Sequence, residues 1–328
     1  MGGNVFPGMN RRYDRKEYLD LIDELKPILE QTCVKYNVCP SMENKESFGD
    51  MDIVCVPSKT INWNEFVLCD IFETKLCKRN GSTWSLIYKE FQLDLIMSPE
   101  KEYEFCCNYM GMGDRGNFVG KLAHQLGLKF GHDGLWIPVR KSDSHKLGEV
   151  LLTLDPIKAE RFLDVEPMKY ANRIEDVFLN ISRSKYFNPE IFLLENNNAI
   201  ARVRDKKRPN YNLFLEWCTK LPKKDYFVKS KNKKEYLEII FEEFPDAVEE
   251  YNELWYRATI LDRYSELFNG KLVSEWTGLQ GKELGEFIVK IKDVLDPLSI
   301  VWFMSAEDVK EFVLYFYANM LYNNLSSE

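Results

Sequence analysis

Two apolar, strand-like runs in this sequence carry acidic residues at positions where a buried strand normally has none. The first run is Gly49-Asp50-Met51-Asp52-Ile53-Val54, and the second is Phe91-Gln92-Leu93-Asp94-Leu95-Ile96. A lone carboxylate in the middle of a buried strand, such as Asp94, destabilises the fold strongly unless it is paired or metal-bound. The chain must therefore fold so that these carboxylates meet a positive partner.

The spacing of the three aspartates indicates what that partner is. Asp50 and Asp52 point to the same face of a strand, roughly 6–7 Å apart, and Gly49 lets the chain turn sharply and lets a ligand approach the backbone. If the second strand is a neighbour, Asp94 joins them, and three like charges then require divalent cations. Two Mg²⁺ ions roughly 3.5–4 Å apart suit this set, with Mn²⁺ as a substitute. The alternative is that the Asp-x-Asp pair forms an ordinary Asx turn or helix cap.

The composition excludes several other classes of protein. The 328 residues, 45% of them hydrophobic, are enough for about two globular domains, and no run of about 18 apolar residues is present, so we expect no membrane span. The first residues do not resemble a signal peptide. Eight cysteines without a C-x-x-C pair and three histidines fit neither a zinc module nor a disulfide framework. We expect a reducing cytoplasm, with a nuclear or viral-factory location left open.

The hydrophobic pattern predicts an α+β first half and a helical second half. An amphipathic helix is expected at residues 14–36, kinked or broken near Pro27, and a short helix at 64–72. Strands are expected at 52–56 and 91–97, with a type I′ hairpin at Asn80-Gly81 between them. Further elements are expected as follows: helices at 100–109 and 116–126, a hairpin at 129–139, and mostly helices from residue 172 onward.

At this point the sequence resembles a known family. The two aspartate runs are similar to the palm of the family X DNA polymerases, the polymerase beta-like nucleotidyltransferases. The segment Tyr109-Met110-Gly111-Met112-Gly113-Asp114-Arg115-Gly116-Asn117-Phe118-Val119-Gly120-Lys121 resembles a later motif of that family. Residues 174–178 and 186–189 resemble its Glu-Asp-x-Phe and Tyr-x-x-Pro signatures. The resemblance covers about residues 14–190.

The resemblance implies a role for each matching residue. Asp50 and Asp52 would bind both metal ions, and Asp94 would lie by the catalytic metal and help activate a primer 3′-hydroxyl. The remaining matches would bind the nucleotide: Tyr109, Met110 and Gly111 beneath the sugar, Asp114 against the base, Asn117 at its minor-groove edge, and Lys121 towards the template.

The phosphate-binding loop of that family is only partly matched. Ser41 and Lys45, about ten residues before the acidic pair, are the candidates for triphosphate contacts. The basic strip, defined as residues 202–234, holds twelve Lys and Arg against three acids, interleaved with aromatics. Arg202 and Arg204 alternate along an expected strand or extended segment, so both could supply the missing phosphate contacts. The strip is equally well explained as a nucleic-acid surface, with aromatics stacking on bases, or as a solvated linker.

We therefore expect three regions: a nucleotidyltransferase palm (1–99), a thumb-like subdomain (100–195), and a helical C-terminal domain that begins with the basic strip (196–328). The expected activity is metal-dependent transfer of nucleotides from an NTP or dNTP to a nucleic-acid 3′-hydroxyl, with a DNA primer favoured over RNA. The alternatives are an RNA- or tRNA-end nucleotidyltransferase and a catalytically silent nucleic-acid-binding relative. Nucleotide transfer to a protein or small molecule is a third, because a net charge of −8 is low for an enzyme that wraps a template.

Overall fold

The structure is a computed structural model that describes residues 3, 5–222, 224–294, 300 and 302–325. The chain forms two compact units. Unit 1 comprises Met1–Pro138 and Glu149–Ala247, and unit 2 comprises Val139–Gly148 and Val248–Glu328.

The strands lie in the first half of the chain. In chain order they are β1 (Tyr13–Asp14), β2 (Cys33–Val38), β3 (Ser47–Phe48), β4 (Asp50–Pro57), β5 (Cys77–Asn80), β6 (Thr83–Tyr88), β7 (Phe91–Met97), β8 (Lys129–Gly131), β9 (Gly134–Arg140) and β10 (Lys146–Thr153). A mixed five-stranded sheet has the order β2-β4-β7-β6-β5, in which β4 and β7 are parallel and the other neighbours antiparallel. β8, β9 and β10 form a second sheet, and β1 pairs with β3.

The helices become dominant after residue 155. In chain order they are α1 (Arg15–Thr32), α2 (Glu65–Ile71), α3 (Tyr103–Met110), α4 (Arg115–Gln125), α5 (Pro156–Phe162), α6 (Ile174–Ser182), α7 (Ala199–Lys206), α8 (Pro209–Thr219), α9 (Leu237–Glu243), α10 (Ala247–Leu267), α11 (Gly270–Thr277), α12 (Gly281–Lys292) and α13 (Ala306–Leu325). The predicted α+β class with a mostly helical C-terminal region is confirmed. No helix in the described part of the chain has the length and apolar character that crossing a membrane requires.

The central sheet has two different faces because side chains alternate along each strand. One face packs on α1 and α2 through buried residues of the two central strands: Met51, Ile53, Leu93 and Leu95. Val54 and Ile96 lie on the opposite face, against residues of α3. The same face carries the three aspartates. Asp50 and Asp52 alternate along β4 in step with Val54, and Asp94 alternates along β7 in step with Ile96, so all three side chains project from the face that packs against α3.

Helix α1 begins where the sequence predicts and ends earlier. Asp14 and Glu17 form a capping box at its start, which satisfies backbone N–H groups of the first turn. The helix ends at Thr32 because Cys33–Val38 pairs with β4 as an edge strand. Of the two outcomes predicted at Pro27, a kink or a break, the break does not occur: α1 continues through this residue, with Leu25 and Leu29 buried on either side of it.

The hairpin before β7 differs from the prediction by one residue. Asn80 pairs with Thr83 inside the ladder, so the turn residues are Gly81 and Ser82 rather than Asn80 and Gly81. Gly81 has a φ of +60°, which suits the first central position of a type II′ turn. The predicted strand at 91–97 and the hairpin at 129–139 are confirmed.

Candidate active site

The pairing of β4 with β7 positions the acidic residues. The two strands are parallel neighbours in a register that places Asp52 beside Asp94 and Asp50 beside Gln92. Parallel neighbours lie about 4.8 Å apart, so two carboxylates from segments 42 residues apart in the chain become adjacent. The condition under which Asp94 joins the acidic pair, that the two strands are neighbours, is therefore met.

The electrostatics show that these carboxylates act on one another. Burial, and then the charges of Asp50 and Asp94, raise the pKa of Asp52 to about 7. Burial also raises the pKa of Asp94, while hydrogen bonds from Ser85 and Gln92 favour its ionised form. Without a cation, Asp52 is therefore only partly ionised at neutral pH. A divalent cation would favour the charged form.

Two protein groups already bind the outer carboxylates. The Gln92 amide donates to both oxygens of Asp94, at 3.1 and 3.0 Å, and the Gly3 N–H donates to Asp50 Oδ2 at 3.0 Å. Among the residues that the structure describes, no group of three or more His, Cys, Asp and Glu side chains is arranged so that it could hold a metal ion. The hard oxygen donors fit Mg²⁺ chemically, but binding by all three requires their side chains to reorient. The predicted metal ligands stay a prediction.

The loop that holds Ser41 and Lys45 lies beside the acidic strands. The Cys39 N–H donates to the Asp52 carbonyl oxygen at 2.9 Å, which fixes the start of this loop to β4. Burial lowers the pKa of Lys45, while the charges of Asp50 and Asp52 oppose that change. The Lys45 Nζ lies 4.6 Å from the centroid of the Phe48 ring. Ser41 lines a cavity of about 260 Å³ together with residues of α1 and Met112. The charge of Lys45 therefore interacts with those of Asp50 and Asp52, and Ser41 lines a neighbouring cavity.

The turn at residues 109–113 packs against the same loop. The Met112 N–H donates to the Pro40 carbonyl oxygen at 2.8 Å. Met112 and Gly113 both have positive φ, +56° and +67°, which tightens the turn after Tyr109, Met110 and Gly111. These three predicted sugar-contacting residues thus lie next to the loop of Ser41.

The two predicted base contacts, Asp114 and Asn117, and the predicted template-facing Lys121 all bind other side chains of the protein. Asp114 forms an ion pair with Arg208. Asn117 and Lys121, on α4, both bond the fully buried Asp205, with Lys121 Nζ 3.2 Å from its Oδ2. Any contact they make to a nucleotide must compete with these bonds.

Arg202 and Arg204 do not lie where the sequence suggested. The extended segment predicted for them was wrong: both are on α7, because Asn198 caps its first turn by accepting from the Ala201 N–H. Arg204 faces α4, donating to Asn117 at 2.9 Å and to Asp205 at 2.8 Å. Arg202 instead donates to backbone carbonyl groups of residues 194, 195 and 197. Only Arg204 joins the predicted nucleotide-binding residues.

Sequence reasoning missed three residues of this region. Burial raises the pKa of both Asp52 and Tyr109, and the positive charge of Arg208, counted only as part of the basic strip, offsets part of that rise. Gln92 lies two residues before Asp94, on the same strand face, and this spacing could have found it. Asn10 bonds both Gly3 and Gly49, and no sequence signal marks it.

The aromatics of the basic strip are not all available for base stacking. Tyr211 and Phe214 are fully buried and pack against Phe118, so neither is exposed for stacking on a base. Trp217 stacks on Phe214 and is partly exposed. The lysines and arginines of α7 remain at the surface for the most part.

The sequence matches no protein-family model, and no curated protein matches it.

Proposed function

We propose that this protein is a metal-dependent nucleotidyltransferase that adds nucleotides from an NTP or dNTP to a nucleic-acid 3′-hydroxyl. The observation that carries the proposal is the register of β4 and β7, which sets Asp52 beside Asp94 with Asp50 on the same face. With divalent cations bound between them, acidic residues on adjacent parallel strands, near a lysine and a tight turn, would hold a charged phosphate ester. The resemblance to the polymerase beta-like palm and thumb supports the same conclusion.

The residues of the chain would divide the reaction as follows. The 3′-hydroxyl oxygen forms a bond to the α-phosphorus, the bond from that phosphorus to the bridging oxygen breaks, and pyrophosphate leaves. Asp94 would take the hydroxyl proton. Lys45 and Arg208, whose charges act on Asp52, would attract the negatively charged triphosphate.

Two Mg²⁺ ions, or Mn²⁺ in their place, would be held by Asp50, Asp52 and Asp94. When bound, they would neutralise the phosphate and stabilise the attacking and leaving oxygens. The half-buried setting of the three aspartates supports this assignment, because burial and the charges of Asp50 and Asp94 raise the pKa of Asp52 to about 7 despite the opposing charges of Lys45 and Arg208.

The acceptor in this proposal is a nucleic-acid primer, with DNA favoured over RNA. The exposed lysines and arginines of the basic strip would contact its phosphates. The burial of Tyr211 and Phe214 leaves fewer aromatics for stacking, so we expect the acceptor to be held mainly through its backbone.

The test is nucleotide incorporation with purified protein, Mg²⁺ or Mn²⁺, each labelled dNTP and NTP in turn, and DNA and RNA primers with or without template. Asp94→Asn should lower the rate by about 100-fold or more, because it removes the proton acceptor and one charge. Asp155→Asn is the matched control: Asp155 caps α5, and Asn caps a helix equally well.

The proposal fails if wild-type protein extends no primer under any of these conditions. Extension that persists in Asp94→Asn would also contradict it, because the activity would then come from another site or a contaminant. Extension of RNA ends alone would replace the DNA primer with an RNA-end acceptor.

A further inference from the structure

Two arginines, Arg204 on α7 and Arg208 just after it, use only part of their guanidinium groups in bonds to the protein. Arg204 Nε donates to Asp205 Oδ1 at 2.8 Å, and its Nη2 donates to Asn117 Oδ1 at 2.9 Å. Arg208 Nη1 pairs with Asp114. Within the part of the chain that the structure describes, Arg204 Nη1 and the Nε and Nη2 groups of Arg208 have no hydrogen-bond partner. Both arginines therefore keep N–H donors for a ligand.

The buried carboxylate of Asp205 holds Arg204 in one orientation. Asp205 is fully buried and also pairs with Lys121 Nζ at 3.2 Å, so it is fixed in the protein interior. The two nitrogens of Arg204 that bond Asp205 and Asn117 lie on the same edge of a planar group. The opposite end of the guanidinium therefore points in a defined direction, and a ligand that binds there loses little free energy to ordering it.

The side chain of Tyr109 adds a third donor. Burial raises the pKa of Tyr109, and the charges of both arginines oppose this rise, so the two guanidinium groups lie near its hydroxyl. Among the described residues this half-buried hydroxyl has no hydrogen-bond partner. The turn after Tyr109 also adjoins the start of α8, because a Cβ on Gly113 would lie 3.0 Å from Asn210 Nδ2. Three donors without partners are thus grouped in one place.

This group of residues stays positively charged despite its internal ion pairs. Its three cations outnumber its two carboxylates, namely Lys121, Arg204 and Arg208 against Asp205 and Asp114. The charge of Arg208 also acts on Asp52, which links the group electrostatically to the acidic strands. A ligand with several negative charges is what this charge balance attracts.

We propose that Arg204, Arg208 and Tyr109 form a phosphate-binding site for the β- and γ-phosphates of the nucleotide. Guanidinium groups bind phosphate oxygens through pairs of N–H donors, and charge-assisted bonds of this kind are strong. This inference rests on the proposed function, because that function supplies the nucleotide. It gives Tyr109 a phosphate contact in place of the sugar contact that the resemblance implies.

The position and charge of the site favour a nucleotide over the backbone of a primer. The electrostatic effect of Arg208 on Asp52 places the site near the acidic strands, where the proposed reaction breaks the bond to pyrophosphate. A polyphosphate also concentrates several charges on adjacent groups, whereas a nucleic-acid backbone carries one charge per phosphate. The donors all belong to the protein, so the site should bind a polyphosphate without a metal ion.

The test measures the affinity for inorganic pyrophosphate by calorimetry in EDTA, and the affinity for a single-stranded DNA 12-mer by fluorescence anisotropy. Tyr109→Phe removes only the hydroxyl and keeps the ring that packs 5.9 Å from Phe130. Arg204→Lys keeps the charge and removes the planar group. Arg11→Lys is the matched control, because Arg11 is 46% exposed against 47% for Arg204 and also pairs with a carboxylate, that of Glu17.

We expect Tyr109→Phe and Arg204→Lys each to raise the Kd for pyrophosphate about 10-fold, because each loses a hydrogen bond to a charged group. Arg11→Lys should leave this Kd unchanged, and the Kd for the DNA 12-mer should change less than 2-fold in all three variants. Melting temperatures in EDTA identify the variants that fold. An unchanged pyrophosphate Kd in folded Tyr109→Phe and Arg204→Lys would overturn the inference. An equal loss of DNA affinity would also overturn it, because the site would then belong to the primer.

This inference and the proposed function fail separately. If wild-type protein binds pyrophosphate and both variants weaken it, but no nucleotide is incorporated, the proposed activity is wrong and the phosphate site stands. If wild-type protein incorporates nucleotides but binds no pyrophosphate in EDTA, the phosphate site is wrong and the proposed activity stands.

Discussion

Replacing Asp52 with asparagine should make the metal-free protein more stable at alkaline pH. The pKa of Asp52 is about 7 in the folded protein, against an ordinary value of 3.8. The folded state therefore keeps this proton over a range of pH in which the unfolded chain has lost it. In wild-type protein the free energy of unfolding should fall as pH rises from about 4 to about 7, and then level off.

The size of the effect follows from the same shift. At about 1.4 kcal/mol per pKa unit, the difference between 3.8 and about 7 gives a ceiling of about 4 kcal/mol. Asp52 keeps partial contact with solvent, which screens its repulsion from Asp50 and Asp94, so we expect about 2 kcal/mol. Asparagine does not ionise, and Asp52→Asn should lack this part of the pH dependence.

The assay is urea unfolding of wild-type protein and Asp52→Asn in EDTA from pH 4 to pH 9, followed by circular dichroism. Other titrating groups contribute to both curves, so their difference isolates Asp52. The two proteins should have similar stability at pH 4, and the variant should be more stable at pH 8. If the unfolding free energies of wild type and Asp52→Asn stayed parallel from pH 4 to pH 9, ionisation of Asp52 would not destabilise the fold. The control Asp155→Asn should not gain stability over wild type as the pH rises.

Two further predictions concern stability. Glu160→Gln should lower the free energy of unfolding by about 3–5 kcal/mol, because it leaves the guanidinium of Arg115, 1% exposed, without its counter-charge; a loss below about 1 kcal/mol in urea unfolding would contradict this. Pro27→Ala should raise it by about 1–3 kcal/mol, because α1 regains a backbone hydrogen bond at an exposed site; an unchanged melting temperature would show that the helix already accommodates the proline.

The sequence predicts β7 correctly because a strand of this kind follows from a local pattern, whereas its pairing with β4, 42 residues away at Asp52 and Asp94, is known only from the structure. The apolar run with one acidic residue predicts both ends of β7, Phe91 and Met97. The hairpin before it was displaced by one residue, since the dipeptide Asn80-Gly81 does not fix which residue leaves the ladder. The end of α1 was wrong because pairing with β4 overrides the helical pattern after Thr32.

The contacts around the candidate site were largely hidden from sequence reasoning. Arg202 and Arg204 alternate as they would in a strand, yet the cap at Asn198 starts a helix that separates their directions. Arg208 was indistinguishable from its basic neighbours until its pairing with Asp114 was known. The side chain of Asn10 is hydrogen-bonded to the backbone of Gly49 and Gln92, which lie 39 and 82 residues away in the chain, so no local pattern predicts these contacts.

The interleaved order of the two units has a consequence for how this protein can be divided. The chain passes between them three times, after Pro138, after Gly148 and after Ala247. Within unit 2, Gly148 adjoins Leu254, and Lys141 is paired with Asp262. A chain that ends at residue 247 would therefore contain the aspartate-bearing unit and the tip of the β9–β10 hairpin. It would lack Leu254 and Asp262, which that tip contacts. Recombination that moves the acidic sheet into another protein would leave residues 139–148 without their contacts in unit 2, unless the same event also shortened the hairpin.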